Sequence, residues 1–368
     1  MKRVIQYILV TLMFAVPLAG FMTISNDYVI KSENRMIARF PEKYSKKYFS
    51  ELVKWYTDRL FYKINISEKY YPYFNSVFEQ SVMPSDSLSV AGLKNWYFIS
   101  DLSNKAYSQH CRDVVFEESQ IIKKLNYLKS LSEASTAPFY LIIGPDKHGI
   151  YSEFMKPYIF EPGKFRAFSK YKYLLTKYKI NYIDPYEAIK IAKASLSDNK
   201  TLYYTNDTHW NYFGAYTAFG EVIKHVAPEV KIKEYNFKFE KNYSGDLVAN
   251  RPFVIHDYFD SVSVENFEKY NIEIEKIGQS KRYSYLFDIN ATVHNGTKFI
   301  NSLATDRRKV MIFSDSFGWS FVPFMIDTFH TVIWLERNNP KNNSFVEIIE
   351  QEKPDLILYL NVERNVFD

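Results

Sequence analysis

The stretch "KVMIFSDSFGWSFVPF", residues 309–324, predicts a buried strand that turns sharply into a helix. The turn places Ser316 ahead of Gly318. A serine at such a turn raises its hydroxyl above the carboxyl end of the sheet, where open α/β sheets bind ligands. The main-chain N–H groups of Ser316 and Phe317 then face the position where an oxyanion can form. The pattern of this stretch therefore predicts Ser316 as a nucleophile.

A second stretch, "YYTNDTHWNYFGAY" at residues 203–216, supplies a base for such a serine. A serine hydroxyl is usually activated by an imidazole that a carboxylate orients. Asp207 and His209 offer both groups from one loop, and Asn211 is a natural N-cap for a helix that continues to about Val226. Three interpretations stay open here: a catalytic pair, half of a metal site, or a polar turn.

The remaining histidines give a metal site little support, because none shows H-E-x-x-H or another paired spacing. They are His110, His148, His225, His256, His294 and His330. His148 follows the apolar run "FYLIIG" and is the one further polar group expected at a strand end, whereas His225 and His330 are interpreted as structural. No metal ion and no cofactor are expected.

Outward from these two stretches, residues 119–368 show an α/β rhythm. Helical runs such as "FRAFSKYKYLLTKYKI" and "SFVEIIEQEKP" alternate with the apolar runs "FYLIIG", "NYIDP", "KVMIF", "TVIWLE" and "DLILYL". Continuous apolar runs are typical of strands covered on both faces of a parallel sheet. Between about 229 and 305 the runs become short and alternating, which predicts a β-rich insertion. The fold class is therefore α/β, a parallel sheet flanked by helices.

The N-terminal third has a different character. Residues 1–25 contain the basic pair Lys2-Arg3 and an apolar run long enough for a membrane span, which predicts a signal anchor with the remainder outside the cytoplasmic membrane. A cleaved signal peptide is the alternative. Residues 26–118 are interpreted as a packing arm with a helix near Tyr48–Leu60.

Composition limits the classes of function. A net charge of +5 over 368 residues, without a block of basic residues, argues against a nucleic-acid partner. The single cysteine, Cys111, excludes an intrachain disulfide and a cysteine metal cluster.

Several motifs occur in a specific order that spans nearly the whole chain. They are "ENRMIARFP", "LVKWYTDRLFYKI", "GLKNWYF", "IIGPDKHGIYSE", "NDTHWNYFGA", "IFSDSFG" and "KPDLILYLNVERN". In this order the chain resembles the alginate O-acetylation proteins of the AlgJ/AlgX type, the DHHW relatives within the SGNH hydrolase-like group. The resemblance implies an SGNH hydrolase-like fold in circularly permuted order, with Ser316 as nucleophile and Asp207 and His209 as its partners.

The same resemblance implies a function. Members of this family move acetyl groups onto exopolysaccharide hydroxyls outside the cytoplasmic membrane, often receiving acetyl from a membrane-bound O-acyltransferase. We therefore expect a polysaccharide O-acetyltransferase that forms an acetyl-serine. An acetylesterase with the same triad and a non-catalytic polysaccharide-binding protein are the alternatives. Lys147 and Trp210 are candidates for lining the sugar site, and packing of the loop is the alternative for Trp210.

The sequence also departs from the family pattern. Ser314 stands where glycine is usual, which is expected to tighten the backbone near the oxyanion site, and Lys63 replaces an arginine. The chain ends soon after Glu363-Arg364, so no appended carbohydrate-binding module is expected. Arg364 is expected to pair with Glu363 or Asp315 in a structural role.

Overall fold

The structure is a computed structural model that describes residues 29–30, 35–36, 38–41, 48–58, 88–156, 163–197, 199–241, 243, 245–248, 257–279, 281–337 and 345–367. The predicted anchor at residues 1–25 and the departure at Lys63 lie outside the described residues. Across these ranges, no helix combines the length and the apolar character that crossing a bilayer requires.

The chain divides into two compact units, and the smaller comprises Met1–Ser85 and Ser244–Ile255. Its described elements are β1 (Val29–Ile30), β2 (Arg35–Met36) and α1 (Tyr48–Asp58). The two strands pair antiparallel, and Phe40 packs edge-on against Trp55 of α1 with ring centroids 4.8 Å apart. The helix predicted near residue 48 is thus confirmed over its described part.

The larger unit, Asp86–Tyr243 and His256–Asp368, contains the sheet and the helices that flank it. Its strands are β3 (Ser89–Ala91), β4 (Tyr97–Ile99), β5 (Phe139–Gly144), β6 (Tyr182–Ile183), β7 (Asn236–Lys241), β8 (Phe259–Glu265), β9 (Tyr270–Lys276), β10 (Arg282–Phe287), β11 (Thr297–Ile300), β12 (Asp306–Ser314), β13 (Phe329–Glu336) and β14 (Leu356–Val362). Its helices are α2 (Glu118–Glu133), α3 (Lys147–Ile150), α4 (Ala167–Lys177), α5 (Tyr186–Ser195), α6 (Tyr212–Val226), α7 (Gly318–Thr328) and α8 (Phe345–Glu352).

The central sheet is mixed. In the described part of the chain its order is β10-β9-β11-β13-β12-β14-β5-β6. The five strands from β13 to β6 are parallel, and β11, β9 and β10 continue the sheet antiparallel. The predicted parallel sheet and its flanking helices are therefore confirmed, and three antiparallel strands extend the sheet at one edge.

Both faces of the parallel strands are covered, as their continuous apolar runs predicted. Val310 and Ile312 of β12 pack into one core cluster with α6 and α7, while Met311 and Phe313 pack into a second cluster with α2, α4 and α8. Because successive side chains of a strand point to opposite faces, one apolar run serves both layers. The carboxyl end of β12 is thereby fixed between two packed cores.

The predicted β-rich insertion at 229–305 is only partly separate from the sheet. β7 and β8 form their own antiparallel pair, but β9, β10 and β11 join the central sheet. In β9 the buried Ile272 is followed by the exposed Glu273, an alternation typical of strands with one solvated face. The local pattern identified strands correctly, yet it could not reveal their pairing partner.

The larger unit begins earlier than the domain boundary predicted at residue 119. The antiparallel pair of β3 and β4 belongs to it, and Trp96 and Phe98 are buried in its first core cluster. The Trp96 ring stacks on Tyr151 with centroids 4.4 Å apart. Residues 88–118 are therefore part of the body that carries the site.

The crossing of α7 over β12 depends on a glycine. A Cβ atom at Gly318 would overlap Ser314 Oγ and lie 2.9 Å from Ser314 Cβ. Ser314 Oγ accepts a hydrogen bond of 2.8 Å from the Trp334 indole N–H. The side chain of Ser314 thus occupies the space between Gly318 and Trp334.

We expect Gly318→Ala to lower the free energy of unfolding by about 1–3 kcal/mol through overpacking, and to cost clearly less in a Ser314→Gly background, where the clashing side chain is absent. Gly220→Ala is the matched control, because a Cβ there meets only Ile232 Cδ1 at 3.8 Å. Urea unfolding of the single and double variants measures the coupling. Equal effects of Gly318→Ala in both backgrounds would contradict this packing.

Candidate active site

The loop before α6 closes on itself and projects a carboxylate and an imidazole. Tyr203 and Trp210 form an isolated antiparallel bridge, and Tyr204 N donates to His209 O at 3.3 Å. Asn211 caps α6, since its Oδ1 accepts from the N–H groups of Phe213 and Gly214 at 3.1 Å each. The predicted N-cap is confirmed, and it fixes where the loop ends.

The turn after β12 is held by Asp315. Its Oδ1 accepts from the Phe317 N–H at 3.0 Å, and its Oδ2 accepts from the Val362 N–H at 2.8 Å. The first bond closes the turn locally, and the second ties it to the carboxyl end of β14. Ser316 therefore sits on a short segment with two fixed supports.

These two segments meet in one hydrogen-bonded chain. His209 Nε2 lies 2.6 Å from Ser316 Oγ, and His209 Nδ1 lies 2.6 Å from Asp207 Oδ1. Asp207 Oδ1 also accepts from the His209 main-chain N–H at 2.9 Å. Because a carboxylate only accepts, Nδ1 carries the proton and Nε2 is left to accept from the serine hydroxyl. The structure thus brings all three predicted catalytic residues together in the order that serine activation requires.

Trp210 lies beneath this chain and does not line a sugar site. Its side chain is fully buried, and its indole N–H donates to Phe317 O at 3.0 Å. The rings of Trp210 and Phe317 also pack edge-on with centroids 4.8 Å apart. The alternative that Trp210 packs the loop is therefore correct, and this contact joins the histidine loop to the serine turn.

Lys147 was also predicted to line a sugar site, and the structure corrects this. The residue is 2% exposed, and its ammonium donates to the main-chain carbonyls of Tyr204 at 3.1 Å, Thr205 at 3.2 Å and Asp207 at 2.6 Å. It contacts the back of the loop that carries Asp207 and His209. A buried ammonium needs such partners, and here they are the loop's own carbonyls.

The residues on either side of Lys147 hold other segments. Asp146 Oδ2 accepts from the Arg364 N–H at 2.9 Å, and the two side chains form a buried ion pair. Burial opposes ionisation of Asp146, but Arg364 together with His110 and His148 outweighs it, and these groups hold the pKa of the carboxyl well below its usual range. Arg364 thus pairs with Asp146 and not with Glu363 or Asp315. The buried ion pair of Arg364 agrees with the structural role that was expected for this residue.

His148 and Glu363 complete these supports. Burial lowers the pKa of His148 to about 3, so its imidazole is neutral, and its Nε2–H donates to Ile99 O at 2.9 Å. Glu363 accepts from Arg166 Nε at 2.8 Å. His148 therefore lies at a strand end as predicted, but it anchors β4 and does not extend the triad.

Two main-chain N–H groups, those of Ser316 and Phe317, are the predicted oxyanion donors. The Phe317 N–H is bonded to Asp315, so the structure gives this predicted donor another acceptor. The Ser316 N–H stays as the predicted donor. It precedes α7, whose N-terminus favours negative charge nearby.

One residue at the site was overlooked in the sequence. Trp319 is 56% exposed, and its ring stacks on His209 with centroids 5.8 Å apart at an interplanar angle of 26°. Its position three residues after Ser316, on the first turn of α7, is the signal that could have found it.

A family model described as "SGNH hydrolase-like domain, acetyltransferase AlgX" matches residues 90–293, which is more than half of the 368-residue chain. The chain belongs to this AlgX family. The matched range contains Asp207 and His209 and ends before Ser316. No curated protein sequence matches the chain significantly.

Several solved structures share the fold of this chain. The chain is similar to PatB1 of Bacillus cereus, with a TM-score of 0.53 and 13% identity over 76% of this chain and 99% of that one. For PatB1 with a sulfonyl adduct, the TM-score is 0.54 and the identity is 14%, over 76% of this chain and 96% of that one. For a DHHW family protein from Eubacterium siraeum, the TM-score is 0.52 and the identity is 15%, over 76% of this chain and 95% of that one. At such identities the likeness shows the fold, and the predicted SGNH hydrolase-like fold is confirmed.

In this AlgX family member, Lys147→Met should lower kcat for an aryl acetate by at least about tenfold, since small displacements of catalytic groups are costly. The variant removes the Lys147 donor from three main-chain carbonyls, of which that of Thr205 keeps a bond of 2.8 Å from the Tyr97 N–H. A buried carbonyl left without a donor costs about 1–3 kcal/mol. Lys147→Arg, which retains donors and charge, should recover part of the rate. Turnover and thermal unfolding are measured together.

Lys193→Met is the matched control, because Lys193 Nζ also donates to a main-chain carbonyl, that of Ile150 at 2.6 Å, without contacting the catalytic loop. A folded Lys147→Met protein with the turnover of the wild type would refute the role assigned to this ammonium.

Proposed function

We propose that the chain is a serine O-acetyltransferase that transfers acetyl groups to hydroxyls of a polysaccharide outside the cytoplasmic membrane. The observation that carries the proposal is the chain of contacts from Ser316 Oγ through His209 to Asp207, with 2.6 Å at each step. Membership of the AlgX acetyltransferase family supports acyl transfer as the reaction class.

The first half-reaction forms an acetyl-serine. His209 Nε2 takes the hydroxyl proton of Ser316 while Oγ attacks the acetyl carbonyl carbon of the donor. Asp207 accepts from Nδ1–H and stabilises the imidazolium that forms. When the tetrahedral intermediate collapses, the bond to the donor's leaving group breaks, and that group takes the proton from Nε2.

The second half-reaction repeats these steps with the acceptor. A sugar hydroxyl gives its proton to His209 Nε2, and its oxygen attacks the acetyl carbon. Ser316 Oγ leaves and regains the proton, which releases the acetylated sugar. The Ser316 N–H is the proposed oxyanion donor, and one good donor contributes about 3 kcal/mol to transition-state stabilisation.

The nearest alternative is an acetylesterase, in which water replaces the sugar hydroxyl and every protein group keeps its role. A non-catalytic polysaccharide-binding protein has no need for a serine hydroxyl aligned with an imidazole and a carboxylate. The structure of PatB1 with a sulfonyl adduct supports a reactive site in this fold, because sulfonyl reagents modify activated nucleophiles.

Two further proposals concern the cellular setting. The predicted anchor at residues 1–25 holds the protein at the outer side of the cytoplasmic membrane. A membrane-bound O-acyltransferase beside it supplies the acetyl group. A polysaccharide then reaches the triad from the extracytoplasmic side.

Ser316→Ala and His209→Ala should each lower aryl acetate turnover by about 10³-fold or more, and the double variant should be little worse, because members of one catalytic unit are not additive. Asp207→Asn should lower turnover by up to about 10⁴-fold through loss of the required tautomer. Assays of aryl acetate turnover, alongside thermal unfolding, measure the loss of activity and the stability of each variant. Acetyl transfer to oligosaccharides distinguishes a transferase from an esterase.

Ser314→Ala serves as the matched control, since this neighbouring serine bonds to Trp334 and not to the triad. Its turnover should stay near that of the wild type, and a metal chelator should also leave the rate unchanged. A folded Ser316→Ala protein with wild-type turnover would end the proposal.

A further inference from the structure

Trp319 is unusual among the tryptophans described in the larger unit. Trp96, Trp210 and Trp334 are all at most 1% exposed and belong to the first core cluster, whereas Trp319 is 56% exposed. Large aromatic side chains that stay open to solvent beside a reactive group are typical of ligand sites, where they supply contact area. Packing of the core does not account for this residue.

The position of Trp319 follows from the geometry of the serine turn. Its main-chain N–H donates to Ser316 O at 3.2 Å, so the first turn of α7 ties the main chain of Trp319 to that of Ser316. The indole stacks on the His209 imidazole with centroids 5.8 Å apart and planes 26° apart. The exposed part of the ring therefore borders the base that receives the acceptor's proton in the proposed mechanism.

We propose that the exposed surface of Trp319 binds a pyranose ring of the acceptor polysaccharide, an inference that rests on the proposed function. The C–H face of a sugar ring packs on an aromatic face, while its hydroxyls point outward from the ring edge. A ring seated on Trp319 presents an edge hydroxyl toward His209 Nε2 and the acetyl group on Ser316. Trp319 thus selects a ring-shaped acceptor over water.

The test compares Trp319→Ala and Trp319→Phe with the wild type, and Tyr173→Ala is the matched control. Tyr173 is 64% exposed on α4, whose buried Phe168 and Leu175 belong to the second core cluster, whereas Phe317 belongs to the first. The acceptor probes are cellohexaose, which is neutral, and a mannuronate hexasaccharide, which is anionic. Each enzyme is supplied with an aryl acetate, and transferred and hydrolysed acetyl are counted separately.

Trp319→Ala should raise the KM for the acceptor by about tenfold and lower the ratio of transfer to hydrolysis, and Trp319→Phe should recover part of both. Tyr173→Ala should match the wild type. In the Ser316→Ala background, at least one hexasaccharide should produce a saturable change of tryptophan fluorescence that Trp319→Phe removes.

An unchanged acceptor KM and ratio in Trp319→Ala would overturn the inference, as would the absence of a Trp319-dependent fluorescence change with both probes. The proposed function fails separately, if Ser316→Ala retains ester turnover. If turnover depends on Ser316 but the acceptor KM and the transfer ratio do not depend on Trp319, the proposed triad stands and only the proposed acceptor site is refuted.

Discussion

The catalytic loop depends on one buried cation. Lys147 Nζ donates to three main-chain carbonyls of this loop, those of Tyr204, Thr205 and Asp207. The main-chain direction of this loop sets where Asp207 and His209 project, and a carbonyl buried without a donor would be costly. The Lys147 side chain therefore supports the site indirectly, because it holds the loop in place and is itself buried.

The sheet order explains why this support and Ser316 lie together. β12, β14 and β5 are neighbouring parallel strands, so their carboxyl ends meet at one edge. Ser316 follows β12, Glu363 follows β14, and Asp146 and Lys147 follow β5. Asp315 then binds the end of β14, and Asp146 binds Arg364 just beyond it. The edge is therefore cross-linked by polar contacts, and Ser316 sits on a rigid support.

Features encoded by short stretches were predicted well. The bounds of β5 and the cap at Asn211 depend on local patterns, and the contact of Ser316 with His209 and Asp207 follows from two short motifs. Lys147 and Trp210 were misjudged, because polar or aromatic character near a motif does not reveal how deeply a side chain is buried. Trp319 was overlooked for the converse reason, since its exposure depends on how α7 is oriented over the sheet. The antiparallel edge was missed because strand pairing is a long-range property.

The central claim is that Ser316 carries the acetyl group, and trapping that ester tests it most directly. The enzyme is mixed with an aryl acetate without acceptor, quenched in acid within the first turnover, digested and analysed by mass spectrometry. The account predicts one added acetyl group on the peptide containing Ser316, absent in Ser316→Ala and greatly reduced in His209→Ala. Turnover without any acetylated Ser316, or with the acetyl group on another residue, would contradict it.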